Sequence, residues 1–440
     1  MLKTLFGFDA SKHNMKTEII AGITTFLTMS YILAVNPAMF ANIGKTLGEE
    51  YGMPIDAVFT ATALAAIVGT LVMAVYAKKP FGLAPGMGLN AFFVYTICIS
   101  MGYSWQFALT AILIEGIIFI ILSATHVRDL IVDSLPISLR HAIGVGIGLY
   151  ITFIGLQNAG IVVHNESTCV ILGNLGSPSV ILAIVGFFIT SALIVLKVKG
   201  GMLIGILITT IIGIPMGITT VPESIVSLPL SPAPQLFRID FLGSLKFAYI
   251  PFLIALFIPD FFSTFGTVLG VGGMAGYLDE NGDLPGIDKC FRVDAVATVA
   301  GGLFGIPSMT TYFESSAGVE AGGRTGLTVV GTCIGFALSL FLAPLALMIP
   351  SAATAPALIS IGVGMLNSMR QVNYSDYTEA FPAFLCIAFT LFGNNIANGI
   401  CVAIPVYLLL KLISGKGKEI NAVLIIVTAV CGLYFYTLVR

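Results

Sequence analysis

Charged residues are scarce in this sequence, and their scarcity excludes whole classes of protein. Asp, Glu, Lys and Arg make up only 10% of the 440 residues, against about 25% in ordinary soluble domains. The 20 Lys and Arg are scattered singly or in pairs, and the formal net charge is −2. The sequence therefore excludes a soluble globular domain, and without a basic stripe we expect no nucleic-acid partner.

Motifs for metal binding and for hydrolysis are missing as well. The seven Cys and four His do not occur at zinc-binding spacings, and no CxxC sequence is present. We find no HExxH sequence, no paired Asp motif and no Ser/His dyad at a plausible membrane depth. We therefore expect no metal, no cofactor and no enzymatic activity.

Hydrophobic residues, by contrast, make up 57% of the chain, and its mean hydropathy is +1.01. A helix that crosses a bilayer needs roughly 20 mostly apolar residues, and fourteen segments of the sequence fit that length. In the first half they cover 18–40, 56–77, 80–99, 106–123, 134–157, 178–197 and 200–219. In the second half they cover 246–270, 289–304, 306–321, 325–349, 351–369, 378–394 and 397–413, and a further apolar run covers 419–438. The sequence therefore predicts an all-α polytopic membrane protein.

The distribution of Lys and Arg agrees with this count. With the N-terminus in the cytoplasm, sixteen of them fall in cytoplasmic segments and only Lys45, Arg238 and Lys246 in outer segments, as the positive-inside rule requires. Seven segments per half make the second half start from the opposite side of the membrane, so a repeat between the halves must be inverted. We predict a first repeat at 1–220, a proline-rich linker at 221–245, a second repeat at 246–413 and an extra apolar helix at 414–440.

Two of the apolar segments are broken by Gly and Pro at corresponding places in the two halves. AlaProGlyMetGlyLeuAsnAlaPhePhe (84–93) lies in the third segment and IleProSerMetThrThrTyrPheGluSer (306–315) in the tenth. Such breaks free backbone polar groups, which a membrane tolerates only next to protein or a water-filled cavity. Gly and Pro are common in membrane helices generally, but matching breaks in inverted halves favour the substrate site of a transporter.

Few ionisable side chains lie inside the predicted spans, and each is a candidate functional residue. Asp260 is central in the eighth segment, Ser263 follows it by three residues, and Glu314, Asn90 and Phe92 lie in the two breaks. We predict that these five residues form one pocket, in which the carboxylates and the amide bind N–H groups and phenylalanine packs on an aromatic ligand. The alternative is that each polar side chain only joins neighbouring helices.

Glu115, in the middle of the fourth segment, and Asp294, at the start of the ninth, are further candidates. Each could relay a proton or act as a strut between helices, and we favour the strut. A protonatable carboxylate in a low-dielectric site also offers a way to couple ligand binding to a proton.

Three long motifs are specific enough to indicate a family. They are GlyIleThrThrPheLeuThrMetSerTyrIleLeuAlaValAsnPro (22–37), LeuAlaProGlyMetGlyLeuAsnAlaPhePhe (83–93) and ThrTyrPheGluSerSerAlaGlyValGluAlaGlyGlyArgThrGlyLeuThr (311–328). With them the chain resembles, nearly end to end, the AzgA-like adenine/guanine/hypoxanthine permeases, a branch of the nucleobase/cation symporter (xanthine/uracil permease) family.

The resemblance implies fourteen segments in two inverted repeats of seven, with short strand-like stretches in segments 3 and 10. It also implies a core domain of segments 1 to 4 and 8 to 11 and a gate domain of segments 5 to 7 and 12 to 14. Family members recognise purines with residues that match Asn90, Asp260 and Glu314. Typical relatives carry a second Asp where this chain has Ser263, so the preferred purine stays open.

We therefore expect a multi-pass transporter of the plasma membrane that imports a purine nucleobase of the hypoxanthine, guanine and adenine class. The expected coupling cation is H+, and a homodimer is left open as the assembly. The alternative is a transporter of xanthine or urate, or of an anion on the same architecture. The two carboxylates and the lack of a basic residue among the pocket candidates argue against an anion, because it would be repelled.

Overall fold

A computed structural model of the chain describes residues 2–124, 135–240, 249–278, 284–393 and 396–439. In these ranges helices form nearly all of the regular structure, and the strands make two short antiparallel pairs. Seven of the described helical stretches are long and apolar enough to cross a membrane. The prediction of a helical, multi-pass membrane protein is confirmed, whereas the number of spans stays a prediction.

The first half of the chain runs from α1 to α9. The helices are α1 (Leu2–Phe6), α2 (Met15–Met29), α3 (Ile32–Leu47), α4 (Ile55–Val72), α5 (Met87–Ala91), α6 (Trp105–Ala124), α7 (Ile137–Asn158), α8 (Pro178–Val195) and α9 (Gly201–Gly213). The strands are β1 (Leu83–Pro85), β2 (Val162–Asn165) and β3 (Cys169–Leu172). π-helical turns continue α4 through Met73–Ala77 and α5 through Phe92–Ser100.

The second half runs from α10 to α18 and includes one further strand, β4 (Met309–Thr311). The helices are α10 (Tyr249–Met274), α11 (Ile287–Phe304), α12 (Ser315–Glu320), α13 (Gly326–Ser339), α14 (Ala343–Leu347), α15 (Ser351–Met365), α16 (Tyr377–Phe392), α17 (Ile396–Ile413) and α18 (Ala422–Val439). Residues 214–240, which contain the described part of the predicted linker, include no helix and no strand.

The first predicted span is two helices rather than one. α2 ends at Met29 and α3 begins at Ile32. Pro37 lies inside α3 and has no N–H to donate to the carbonyl of Leu33, which weakens the first turn of this helix. Tyr31, which is only 2% exposed, lies at the short junction between the two helices.

The two predicted breaks meet each other as a strand pair. β1 and β4 are antiparallel, with Leu83 opposite Thr311, Ala84 opposite Thr310 and Pro85 opposite Met309. The pairing is extended by hydrogen bonds from Gly86 N to the Ser308 carbonyl (3.0 Å) and from Tyr312 N to the Gly82 carbonyl (2.9 Å). A Cβ atom at Gly86 would lie 2.6 Å from Thr310 Cγ2, so glycine permits this approach. The freed backbone groups of each break are thus bonded to the other break.

The helices pack in two groups. In the first group, α2 packs most extensively against α13 and α6 against α11, with α3, α4, α10 and α12 beside them. In the second group, α7 packs against α15 and α16, while α8 and α9 pack against α15 and α17 against α16. β1 and β4 contact α4, α10 and α11 of the first group, and the half-helix α5 contacts α7 of the second group.

The linker is fixed to one end of the first group. Gln235 is fully buried, and its Nε2 donates to the carbonyls of Ala57 (3.1 Å) and Phe304 (3.3 Å). The start of α4 and the end of α11 therefore lie at the same end of the bundle.

Small residues bring α2 and α13 into close contact, as in many membrane helix pairs. Thr332 Oγ1 donates to the carbonyl of Gly22 at 2.9 Å. A Cβ atom at Gly22 would overlap the carbonyl oxygen of Thr328 and would lie 2.9 Å from Cα of Gly331. Because these obstacles are backbone atoms, a side-chain rotation could not relieve them.

We expect Gly22→Ala to lower the free energy of unfolding by roughly 1–3 kcal/mol, the usual cost of overpacking. Thermal unfolding of the detergent-purified protein measures this loss. Gly364→Ala in α15 is the matched control, because a Cβ atom there meets nothing within 4 Å and alanine is the better helix former by about 1 kcal/mol. Equal unfolding midpoints for the two variants would contradict the close packing of α2 and α13.

Candidate functional site

Asp260 on α10 is fully buried next to the second break. Its Oδ2 accepts hydrogen bonds from Ser308 Oγ (2.5 Å) and Thr298 Oγ1 (3.4 Å), and these two hydroxyl oxygens are 2.9 Å apart. Ser308 immediately precedes β4, and Thr298 lies on α11. The broken segment therefore holds one oxygen of Asp260, while Oδ1 has no hydrogen-bond partner among the described residues.

Asp294 on α11 and Glu115 on α6 lie beside Asp260. Thr264, one helical turn after Asp260, donates to Asp294 Oδ2 at 2.7 Å. Glu115 is 1% exposed and interacts electrostatically with both aspartates. Within the described part of the chain, Oδ1 of Asp294 and both oxygens of Glu115 have no hydrogen-bond partner. Asp294 thus joins α10 to α11, as a strut would, whereas the structure shows no such bond for Glu115.

Glu314 is half-buried just before α12. Its Oε1 accepts a hydrogen bond from the Tyr31 hydroxyl at 2.8 Å, and its carbonyl accepts one from Thr28 Oγ1 at 3.2 Å. The Tyr312 hydroxyl donates to the Pro85 carbonyl at 2.6 Å, and the ring centroids of Tyr31 and Tyr312 are 6.4 Å apart. A carboxylate and two tyrosines therefore meet where the two breaks pair.

Asn90 and Phe92 are fully buried in the first break. Asn90 Nδ2 donates to Asn36 Oδ1 at 2.6 Å, and Asn36 Nδ2 donates to Thr62 Oγ1 at 2.7 Å. Phe92 packs in the main hydrophobic cluster of the chain. Asn90 therefore joins α5 to α3 and α4, and its Oδ1 has no hydrogen-bond partner among the residues described.

Ser263 and Phe313 are the exposed members of this region. Phe313 is 56% exposed, and its ring lies close to Gly270 on α10, where an added Cβ atom would be 3.2 Å from Phe313 Cε2. Ser263 is also exposed and lies two helical turns before Gly270, on the same face of α10. Phe313, the neighbour of Glu314 in sequence, therefore packs against α10, and Ser263 lies two helical turns away on the same face of that helix.

Four of the seven predicted site residues fall into two sets, and Asn90, Phe92 and Ser263 belong to neither. Asp260, Asp294 and Glu115 form a buried carboxylate cluster, and Glu314 forms an aromatic, partly open site with Tyr31 and Phe313. The sequence analysis missed Tyr31, Ser308 and Thr298. Tyr31 lies inside the long motif at 22–37, and Ser308 lies inside the second break. Their hydroxyl groups in these segments were the signal in the sequence that could have identified them.

Glu18 is a buried charge with a structural role that the sequence analysis also missed. It is 1% exposed and accepts hydrogen bonds from Arg324 N, Thr325 N and Thr328 Oγ1. These donors lie at the start of α13, where unpaired N–H groups favour a negative charge.

Lys411 is the second structural charge of this kind. It is 1% exposed and forms ion pairs with Asp376 (3.9 Å), Glu379 (3.6 Å) and Glu419 (2.5 Å). Hydrogen bonds from Lys416 and Thr378 hold the pKa of Asp376 well below its ordinary value. The start of α16 and the end of α17 are therefore joined by ion pairs.

A bundle of apolar helices in which two half-helices meet as a strand pair, beside carboxylates at membrane depth, is the architecture of a membrane transporter. The chain belongs to the permease family named for xanthine and uracil permeases, whose profile matches residues 16–402. Members of this family are transporters and not enzymes, so the predicted family and the predicted lack of enzymatic activity are confirmed.

Two relatives are similar over nearly their full length. The guanine/hypoxanthine permease PbuO of Bacillus subtilis is 40% identical, with 96% of this chain and 97% of PbuO covered. The adenine permease AdeP of Escherichia coli is 39% identical, with 97% of this chain and 94% of AdeP covered.

Solved transporter structures share the fold at low sequence identity. The transmembrane domain of the cyanobacterial bicarbonate transporter BicA has a TM-score of 0.65 at 16% identity, covering 88% of this chain and 97% of that domain. The murine anion transporter Slc26a9 in its inward-facing state has a TM-score of 0.64 at 11% identity, covering 92% of this chain and 70% of that one. This similarity shows the shared fold, and it does not indicate which substrate this chain transports.

We expect the stability losses caused by substituting Asn36 and Asn90 to be coupled, because the two side chains share a hydrogen bond. Asn36→Ala and Asn90→Ala should each lower the free energy of unfolding, and the double variant should deviate from their sum by roughly 0.5–3 kcal/mol. Thermal unfolding of the three variants measures this coupling. Asn421→Ala removes a hydrogen bond to Leu424 N (2.8 Å) at the start of α18, and its combination with Asn90→Ala should be additive. Additive losses for Asn36 and Asn90 would contradict the contact.

Proposed function

We propose that the chain is a secondary active transporter that imports purine nucleobases of the hypoxanthine, guanine and adenine class together with a proton. The observation that carries the proposal is the near full-length identity of 40% to PbuO and 39% to AdeP, which are named as purine permeases. Transport would expose one central site alternately to the two sides of the membrane.

The site around Glu314 suits a flat heterocycle with N–H groups. In our proposal the Glu314 carboxylate accepts hydrogen bonds from the ring or exocyclic N–H groups of the base. The exposed ring of Phe313 packs against the base, and Ser263 borders it on α10. Asp260 stabilises the second break through its hydrogen bond with Ser308. Asn90 and Phe92 stabilise the first break, by a hydrogen bond to Asn36 and by packing in the main hydrophobic cluster.

We also propose fourteen segments in a seven-plus-seven inverted repeat. The second segments of the two halves, α4 and α11, both have 18 residues, and each is followed by a three-residue strand and a half-helix. The antiparallel pairing of β1 with β4 relates these strands by a local two-fold axis, as inverted repeats require. The first packing group would then be the core domain and the second the gate domain.

Contacts of basic residues support a cytoplasmic N-terminus in the plasma membrane. Lys79 Nζ lies 3.9 Å from the centroid of the Tyr277 ring, and Arg292 Nη1 donates to the Tyr76 hydroxyl at 3.3 Å. α1 contacts the same end of α4, opposite the end marked by Gln235. Of the residues used to predict the orientation, Arg128 and Lys246 lie outside the described residues.

An anion transporter is the second candidate, because BicA and Slc26a9 share the fold. The candidate site argues against it, since its ionisable groups are acidic and none of the ion pairs found in the described residues brings a Lys or Arg to Asp260 or Glu314. An anion would meet negative charge there unless the carboxyl groups were protonated. Xanthine and urate are the alternatives among the purines.

Uptake of radiolabelled hypoxanthine, guanine, adenine, xanthine and uracil tests the proposal in cells that lack their own purine permeases. We expect the wild type to import at least one purine. Glu314→Gln should reduce that uptake about tenfold or more, because a hydrogen bond to a charged group contributes roughly 1.5–3 kcal/mol.

Glu320→Gln is the matched control, because Glu320 is exposed six residues further along the chain and its variant should transport normally. Bicarbonate uptake by the wild type without uptake of any purine, increased by Glu314→Gln, would overturn the purine assignment in favour of an anion.

A further inference from the structure

The carboxylate cluster of Glu115, Asp260 and Asp294 has more acceptor oxygens than the described structure has hydrogen-bond donors for. The three side chains come from α6, α10 and α11 and are 0–1% exposed. Hydroxyl groups bond one oxygen of Asp260 and one of Asp294, which leaves four carboxylate oxygens without a partner in the described residues. A buried carboxylate without hydrogen bonds or a counter-charge costs many kcal/mol, so it takes up a proton instead.

The neighbouring helices do not supply a compensating cation. α6 packs against α10, α11 and the π-helical segment Phe92–Ser100. Besides the cluster itself, these elements carry the ionisable side chains of Tyr95, Cys98, Tyr249, Asp288, Lys289, Cys290 and Arg292. Arg292 is bonded instead to the Ser123 carbonyl (3.5 Å) and the Tyr76 hydroxyl, and Lys289 is exposed.

A metal ion is also a poor occupant. Among the residues that the structure describes, no group of three His, Cys, Asp or Glu side chains is arranged to hold a metal. A proton has no such requirement, because a protonated carboxyl group needs only one neighbouring oxygen to donate to.

Three phenylalanines pack together beside the cluster. Phe119, Phe261 and Phe291 lie on the same three helices as Glu115, Asp260 and Asp294, within four residues of them along the chain. The rings of Phe261 and Phe291 stack with centroids 4.8 Å apart, and Phe119 lies 6.4 Å and 6.5 Å from them. The hydrogen bonds of the cluster lead from Asp260 to Ser308, which immediately precedes β4.

We propose that Glu115, Asp260 and Asp294 together form the proton-binding site of the transporter, with Glu115 as the main carrier. This inference rests on the proposed proton-coupled purine import. An O–H bond forms on a cluster carboxylate when the site is loaded and breaks when the proton leaves toward the cytoplasm. Ser308 joins the cluster to the paired breaks, because its hydroxyl bonds Asp260 and its carbonyl accepts a hydrogen bond from Gly86 N.

Infrared spectroscopy of the purified protein tests the site without any substrate. A protonated carboxyl group has a C=O stretch that a carboxylate lacks, and we expect the wild type to show this band at neutral pH. Glu115→Gln should lose part of it, whereas Glu320→Gln, which alters an exposed carboxylate, should keep it all. An unchanged band in Glu115→Gln would overturn the inference.

Transport by proteoliposomes tests the coupling. With an inward proton gradient the wild type should accumulate its purine, and Glu115→Gln should lose that accumulation about tenfold or more. Binding of the same purine to Glu115→Gln should persist, since Glu115 does not reach the Glu314 site. A purely structural role would instead lower binding and accumulation together, which would overturn the proposal.

Glu115→Asp keeps the test decisive if the glutamine variant does not fold. This variant retains an acid on a shorter side chain, so we expect proton-driven accumulation with an altered pH profile. A profile identical to that of the wild type would count against Glu115 as the carrier. If the wild type itself imports no purine, the purine assignment fails and the infrared band alone decides whether the cluster holds a proton.

Discussion

The pairing of β1 with β4 is the interaction on which the rest of the structure depends. Each break exposes backbone N–H and C=O groups inside an apolar bundle, where an unsatisfied group costs several kcal/mol. The two breaks satisfy each other, and the hydroxyl of Thr70 adds a bond to the N–H of Leu83 at 2.9 Å. The same pairing fixes the start of α5 and of α12 and brings Ser308 to Asp260. Both sets of polar side chains therefore depend on a few short hydrogen bonds.

Buried carboxylates lie in two different environments in this protein. Glu18 is surrounded by donors at the start of α13, so its charge is stabilised and joins α2 to α13. Glu115 has the same burial, yet neither of its oxygens has a partner in the described structure. A charge that is fully satisfied holds helices together, whereas an unsatisfied one is free to change its protonation state. Burial alone does not distinguish these roles; the hydrogen bonds do.

Transporters that are named for different substrates share one architecture. BicA is named for bicarbonate, and its transmembrane domain has the fold of this chain at 16% identity. The permeases named for purines are about as long and 39–40% identical. A fold positions a site without fixing its chemistry, so the shared architecture does not decide between an anion and a base. In our proposal that choice lies in side chains such as Glu314.

The sequence by itself determined the membrane class, the approximate position of the helices and both breaks, because apolar length, Gly and Pro act locally along the chain. It also singled out Asp260, Glu314 and Glu115 as costly residues at membrane depth. Only the tertiary structure decided which groups meet them. Tyr31 reaches Glu314 across 283 residues of sequence, and Ser308 reaches Asp260 across 48. Such contacts follow from how distant helices pack, and no local pattern of residues encodes them.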